Sequence, residues 1–139
     1  MTRVSNLVLA TFLLACAAAR SSDWQEIGTT STGVVVFVDG ESVHLVGDTG
    51  RAWWKNVLKP HQLKGPKGGW VTYVLIRGKF SCSEEEVTYD AMTFFLEDDT
   101  SESAPPGALA SLMFKPVQPD TVDDIVMKLV CKSGTSKSN

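Results

Sequence analysis

The chain has 139 residues, of which 43% are hydrophobic and 21% are charged, with 13 basic and 16 acidic side chains. This length is typical of one domain, and the hydrophobic content excludes a chain that is disordered throughout. No basic excess is present to release counterions from phosphates, which argues against nucleic-acid binding. The three cysteines are an odd number, which needs an explanation in an exported protein.

Residues 1–19 have the pattern of a secretory signal peptide. Arg3 precedes an apolar run, Leu7–Ala15, and small residues follow it. The run is far shorter than the about 20 residues that a membrane-spanning helix needs. The alternative, a buried N-terminal helix, is disfavoured because the run has no polar face and no cap. Removal of the segment makes the formal net charge of −3 more negative by one unit, since Arg3 is its one charged residue.

Two cleavage sites fit this segment. Leu13–Cys16 resembles a bacterial lipobox, in which Cys16 is acylated and becomes the first residue of the mature protein. Ala17–Ala19 fits the small-residue site of ordinary signal peptidase equally well. The short apolar run and the position of Cys16 favour lipidation, which predicts a membrane anchor at Cys16. Ala17 directly after the cysteine resembles lipoproteins that are sorted to the outer membrane.

The two other cysteines, Cys82 and Cys131, form an even pair in an oxidising compartment, where disulfides persist. A bond that closes the long loop between them would stabilise the fold by roughly 4 kcal/mol. Two free buried cysteines are the alternative. The wide separation, with only His44 and His61 elsewhere, shows no metal-ligand spacing, so no metal or cofactor is predicted.

The rest of the chain is interpreted as antiparallel strands followed by a helix. Val34–Val38 runs into the dipeptide at 39–40, an Asp-Gly pair that favours a tight turn, which predicts a hairpin with Ser42–Val46. Four further strands are predicted, at Trp24–Thr30, Arg51–Leu58, Trp70–Phe80 and Glu86–Leu96.

Residues 60–69 are predicted to form a loop, because Pro66 and several glycines interrupt any periodicity. We interpret the basic residues in and beside it as a solvated surface, with a contact patch for an anionic partner as the alternative. These residues are Lys59, His61, Lys64 and Lys67.

A helix is predicted to start at Pro119–Thr121, with Asp123 and Asp124 in its first turn. Cys131 lies in its last turn and would tie the helix to the strand end that carries Cys82, while residues 133–139 are predicted to be a disordered tail. The fold class is α+β, a disulfide-stapled antiparallel sheet of five to six strands with one C-terminal helix packed on it. The apolar stripe of the helix consists of Val122, Ile125, Val126, Leu129 and Val130.

The four tryptophans are the candidates for both core and partner contacts. Trp24 and Trp70 begin apolar strands and are interpreted as core residues. Because side chains alternate along a strand, Trp53 and Trp54 must point to opposite faces. One of them packs in the core while the other faces solvent, the helix or a partner. Tryptophan is favoured at interaction hot spots, so Trp53 and Trp54 are the candidate partner contacts.

The search for catalytic groups gives no consistent arrangement. A serine triad would depend on His44 or His61, and no nucleophile elbow surrounds any serine. Gly65–Gly69 is too short for a phosphate-binding loop, and Glu84–Glu86 is interpreted as a solvated run rather than an acid–base pair. The sequence therefore predicts a protein that is not an enzyme.

The order of these features resembles the surface-adhesin protein E family of Gram-negative bacteria, over nearly the whole mature chain, from about Trp24 to Cys131. The matching residues are Trp24, Phe37–Asp39, Ser42-Val43, Trp53-Trp54, Lys79–Cys82, Tyr89, Pro116–Thr121 and Val130-Cys131.

The resemblance implies a domain, residues 20–132, with an antiparallel sheet, a C-terminal helix and a disulfide between the matched cysteines. It also implies export to the cell envelope, absence of enzymatic activity, binding of host extracellular proteins and a capacity to form homodimers. The predicted function is therefore a surface adhesin, either an outer-membrane lipoprotein or a periplasmic or secreted protein. The alternative is a periplasmic module with a structural or small-ligand-binding role.

Overall fold

The computed structural model describes residues 21–110 and 115–133. The strands are β1 (Trp24–Thr29), β2 (Val35–Asp39), β3 (His44–Val46), β4 (Thr49–Val57), β5 (Val71–Ser81), β6 (Glu86–Leu96), β7 (Ser101–Ser103) and β8 (Lys115–Pro116), and the helices are α1 (Pro106–Ala110) and α2 (Val122–Lys132). The sheet is antiparallel with the order β1-β2-β4-β5-β6-β7, while β3 pairs with β4 and β8 pairs with β6. This architecture confirms the predicted α+β class.

The centre of the sheet is formed by β4, β5 and β6. Their sequences are rich in β-branched and aromatic residues, which pack well on a pleated surface. β4 pairs with β5 along its whole length, from Thr49 opposite Ser81 to Val57 opposite Tyr73. The register of β5 with β6 shifts at Arg77, which leaves one extra residue on β6 and forms a β-bulge.

The predicted hairpin between residues 34–38 and 42–46 is wrong. β2 pairs with β1 and β4, whereas β3 pairs with β4. Gly40–Ser42 forms a 3-10 turn instead of a tight hairpin turn. The Gly40 N–H donates a hydrogen bond of 2.9 Å to the Asp23 carbonyl oxygen, so the dipeptide extends the β1–β2 ladder.

A disulfide joins the last turn of α2 to the end of β5. The sulfur atoms of Cys82 and Cys131 are bonded and the Cα atoms lie 5.8 Å apart, which confirms the predicted pair. The helix is capped by Thr121, whose hydroxyl oxygen accepts a hydrogen bond of 3.4 Å from the Asp124 N–H. The start of α2 is thereby fixed by a local cap, and its end by a bond to a residue 49 positions earlier in the sequence.

The buried face of α2 is rotated relative to the predicted stripe. Leu129 is 39% exposed, whereas Met127 is only 9% exposed. Val130 lies against Gly50 of β4 and the next residue carries the disulfide, so these two constraints turn the helix. The core around the helix includes Val36, Val38, Ala52, Trp54, Ile76, Phe80, Val87, Val126 and Val130.

The predicted signal segment, with Cys16, lies outside the described residues, and so does the predicted tail after Ser133. Ser133 itself ends α2, because its hydroxyl donates a hydrogen bond of 2.6 Å to the Val130 carbonyl oxygen. Within the described residues, no helix has the length and apolar character needed to cross a membrane.

Candidate binding face of the sheet

The two faces of the sheet differ in their covering. Trp54 and Ile76 lie directly opposite each other on β4 and β5 and are buried in the core with residues of α2. Their chain neighbours Trp53 and Arg77 are also directly opposite and point to the other side. We call this side the outer face, and it includes Trp24, Phe37, Arg51, Trp53, Lys55, Tyr73, Leu75, Arg77, Lys79 and Phe95.

The adjacent tryptophans of β4 have separate environments, which confirms that they lie on opposite faces. Trp54 has 0% exposure, and its ring lies 5.5 Å from that of Phe80 and 6.2 Å from that of Tyr89. This burial is incompatible with a partner contact through Trp54. Trp53 is half-buried, with the guanidinium of Arg77 5.3 Å from its ring centre. Of the two predicted contacts, Trp53 is the accessible one.

The interpretation of Trp24 and Trp70 as core residues is wrong, because both are half-buried outside the core. Trp24 pairs in register with Asp39, and both side chains point to the outer face. The Trp24 ring lies 4.8 Å from the Lys55 ammonium. Trp70 packs beside the loop that precedes β5, with its ring 4.9 Å from that of His61. Cation–π and ring contacts therefore hold these side chains at the surface.

A polar cleft lies on the outer face, where β4, β5 and β6 meet. Its volume is about 400 Å³ and its lining consists of Arg51, Arg77, Lys79 and Asp90, which we call the basic cleft. Asp90 is the extra residue of the bulge, and its carboxylate lies 3.8 Å from Arg77 Nε and 3.5 Å from Lys79 Nζ. This cluster was not predicted from the sequence. The two-residue spacing of Arg77 and Lys79 within a predicted strand was the available signal.

A second cavity, of about 320 Å³, lies beside the first turn of α2 and includes Asn56, Tyr89 and Asp123 in its lining. The Tyr89 hydroxyl donates a hydrogen bond to the Asp123 carboxylate. Burial raises the pKa of Asp123, against the lowering effect of this hydrogen bond. The Asn56 Oδ1 atom is buried and accepts no hydrogen bond from any residue in the described part of the chain.

The basic residues of the loop, residues 60–69, contact nearby side chains. The Lys64 ammonium lies 4.8 Å from the Trp70 ring, and His61 Nε2 lies 3.6 Å from a Glu97 carboxylate oxygen. The backbone N–H of Lys67 donates a hydrogen bond of 3.0 Å to the Glu102 carboxylate. Across residues 21–110 and 115–133, no group of three or more His, Cys, Asp or Glu side chains is arranged to hold a metal ion.

The fold is similar to solved structures of protein E from Haemophilus influenzae. One has 15% sequence identity and a TM-score of 0.50, and the match covers 83% of this chain and 89% of that chain. A selenomethionine form has 12% identity and a TM-score of 0.48, with coverage of 78% and 84% respectively. A second crystal form has 14% identity and a TM-score of 0.47, with coverage of 83% and 94%.

Sequence comparison points to the same group of proteins. No curated protein sequence is significantly similar to the chain. The model of one family, surface-adhesin protein E, matches residues 24–132, which include every described strand and α2. The chain belongs to the surface-adhesin protein E family.

Proposed function

We propose that this chain is an exported cell-envelope protein that acts as a surface adhesin and binds host extracellular proteins through the outer face of its sheet. Family membership supports the adhesin role. The half-buried Trp53 supports the choice of this face. It lies on the side opposite α2, and the Arg77 guanidinium packs against its ring. Aromatic and arginine side chains dominate the binding energy of protein interfaces. No step of this role requires catalysis.

The binding site is tested with the purified mature chain on immobilised host matrix proteins, with albumin as the negative surface. We expect Trp53→Ala to weaken binding at least about 30-fold, because hot-spot tryptophans contribute about 2 kcal/mol or more. Trp70→Ala is the matched control, since Trp70 is also half-buried but packs beside the loop. Equal binding by the parent chain and Trp53→Ala would refute this choice of face.

The cellular location is tested separately. If Cys16 is acylated, Cys16→Ala should release the protein from the membrane fraction, because the lipid chains are its anchor. Protease treatment of intact cells should remove a surface adhesin and spare a periplasmic protein. Self-association into a homodimer, which the family resemblance implies, is tested by sedimentation of the purified mature chain.

The alternative function is a periplasmic module that binds a small ligand. The buried Asn56 Oδ1 beside the cavity at the first turn of α2 favours it, because a buried acceptor without a donor is costly. A ligand with an N–H or O–H group could satisfy this atom. Resistance of the protein to protease on intact cells, together with no binding of the parent chain to the matrix proteins, would favour this alternative.

A further inference from the structure

The basic cleft places like charges directly opposite each other. Arg51 and Lys79 are register partners on β4 and β5, and Arg77 lies two residues before Lys79 on the same face. Like charges at directly opposed positions destabilise a sheet. Asp90 is the carboxylate that lines the cleft, and it is shared between Arg77 and Lys79. Arg51 has no ion-pair partner among residues 21–110 and 115–133, so positive charge is in excess.

Two features hold these charges in place. The Arg77 guanidinium rests on the Trp53 ring, 5.3 Å from its centre, which limits its rotamers while leaving the side chain 44% exposed. The bulge in β6 redirects Asp90 to the side of the cleft. Bulges and opposed like charges are both unfavourable for a regular sheet, and such departures concentrate at functional sites.

We propose that the basic cleft binds a sulfated polysaccharide. Every side chain that lines the cleft is charged, whereas the centre of a protein interface is depleted of charge and enriched in aromatic residues. A linear polyanion needs no apolar contact, and a guanidinium binds an oxyanion such as sulfate with paired hydrogen bonds. These observations favour a polysaccharide over an acidic protein segment.

The overall charge of the chain determines which residues must supply the affinity for a polyanion. The formal net charge is −3, so long-range attraction does not bring a polyanion to the protein. Affinity must come from the local excess at Arg51, Arg77 and Lys79. With three contacts, and a salt dependence per contact like that of nucleic acids, counterion release predicts that binding weakens roughly 20- to 40-fold between about 50 and 200 mM salt.

This proposal goes beyond the proposed function, because it adds a sulfated polysaccharide to the protein partners proposed for the outer face. The experiment measures fluorescence anisotropy of a labelled heparin octasaccharide with the purified mature chain. We expect Arg77→Gln combined with Lys79→Gln to weaken binding at least about tenfold, since two charge-assisted contacts are lost. Asp90→Asn should tighten it by about three- to fivefold, because the competing carboxylate is removed. A gain in affinity cannot arise from misfolding.

The matched control is Lys64→Gln combined with Lys67→Gln, which removes the same charge from the loop. Full binding by the control and loss in the cleft variant support the proposal. Equal loss in both variants, unchanged binding by the cleft variant, or no gain with Asp90→Asn overturns it. Equally tight binding of a polyglutamate peptide also overturns it, in favour of an acidic protein segment. Octasaccharide binding without adhesion to matrix proteins refutes the proposed protein adhesion and leaves this proposal standing.

Discussion

Val130 of α2 packs directly against Gly50 of β4, and Gly50→Ala tests that contact. A Cβ atom at this position would lie 2.3 Å from Val130 Cγ1 and 3.5 Å from Val130 Cβ. Val130 has 0% exposure and a β-branched side chain with one preferred rotamer in a helix, so its methyl group cannot turn away easily. We expect Gly50→Ala to lower the free energy of unfolding by about 1–3 kcal/mol through overpacking. About 0.5 kcal/mol of this loss is offset, because alanine gives the unfolded chain less conformational freedom than glycine does.

The assay is urea unfolding of the oxidised protein, followed by tryptophan fluorescence. Val130→Ala alone should cost about 2 kcal/mol, because two buried methyl groups are lost and a cavity remains. In the double variant the new methyl group at position 50 occupies part of the space that Val130 leaves. The combined cost should therefore be smaller than the sum of the single costs by at least about 1 kcal/mol.

The control is Gly107→Ala in α1, where a Cβ atom would meet nothing within 4 Å. This change should leave stability unchanged or raise it by up to about 1 kcal/mol. Additivity of Gly50→Ala and Val130→Ala within about 0.5 kcal/mol would refute the reasoning, because independent sites add in this way. It would mean that the two side chains do not compete for the same space.

Two further predictions concern the attachments of α2. Replacing Cys82 and Cys131 with serine should lower the free energy of unfolding by about 4 kcal/mol for a separation of 49 residues, and an unchanged urea midpoint would contradict this. Tyr89→Phe removes the hydrogen bond that lowers the pKa of Asp123, so that pKa, already raised by burial, should rise further. A carboxyl group whose pKa is raised by folding stabilises the protein in acid, and this stabilisation is lost as the pH rises through the folded-state pKa. Because Tyr89→Phe raises that pKa further, the stability lost on going from acid to neutral pH should be larger in this variant. Carboxyl NMR titration measures the pKa, and an unchanged or lower value would contradict the reasoning.

Local patterns predicted most elements but not their neighbours in the sheet. Composition and alternation identified the long strands β5 and β6, since those signals depend on residues near in sequence. The Asp39-Gly40 dipeptide also predicted a tight hairpin turn from local sequence, but a 3-10 turn forms there instead. The Gly40 N–H bonds to Asp23, and β2 has β1 and β4 on its two sides. Which strand occupies an edge depends on the whole sheet, which a dipeptide does not encode.

The candidate site shows the same division. Alternation separated Trp53 from Trp54 correctly because it is a property of one strand. The basic cleft joins Arg51 to Lys79 through the register of β4 with β5, and Asp90 through a bulge between β5 and β6. A shift of one residue in either register would send these side chains to the opposite face. The cluster is therefore visible only once the pairing is known.

The disulfide helps to fix α2 on one face of the sheet, so that α2 does not cover the outer face. Cys82 follows β5 directly, and its neighbours are held by Asp48, whose carboxylate accepts hydrogen bonds of 2.9 Å from the Ser81 hydroxyl and 2.8 Å from the Ser83 N–H. Hydrogen bonds from the Ser83 and Ser81 side chains lower the pKa of Asp48, so it stays ionised and keeps these bonds further into the acid range than an ordinary aspartate would. The cysteine is thereby fixed toward the face that α2 covers. Because one helix can cover only one face, α2 leaves uncovered the side chains that alternate with that core, Arg77 among them.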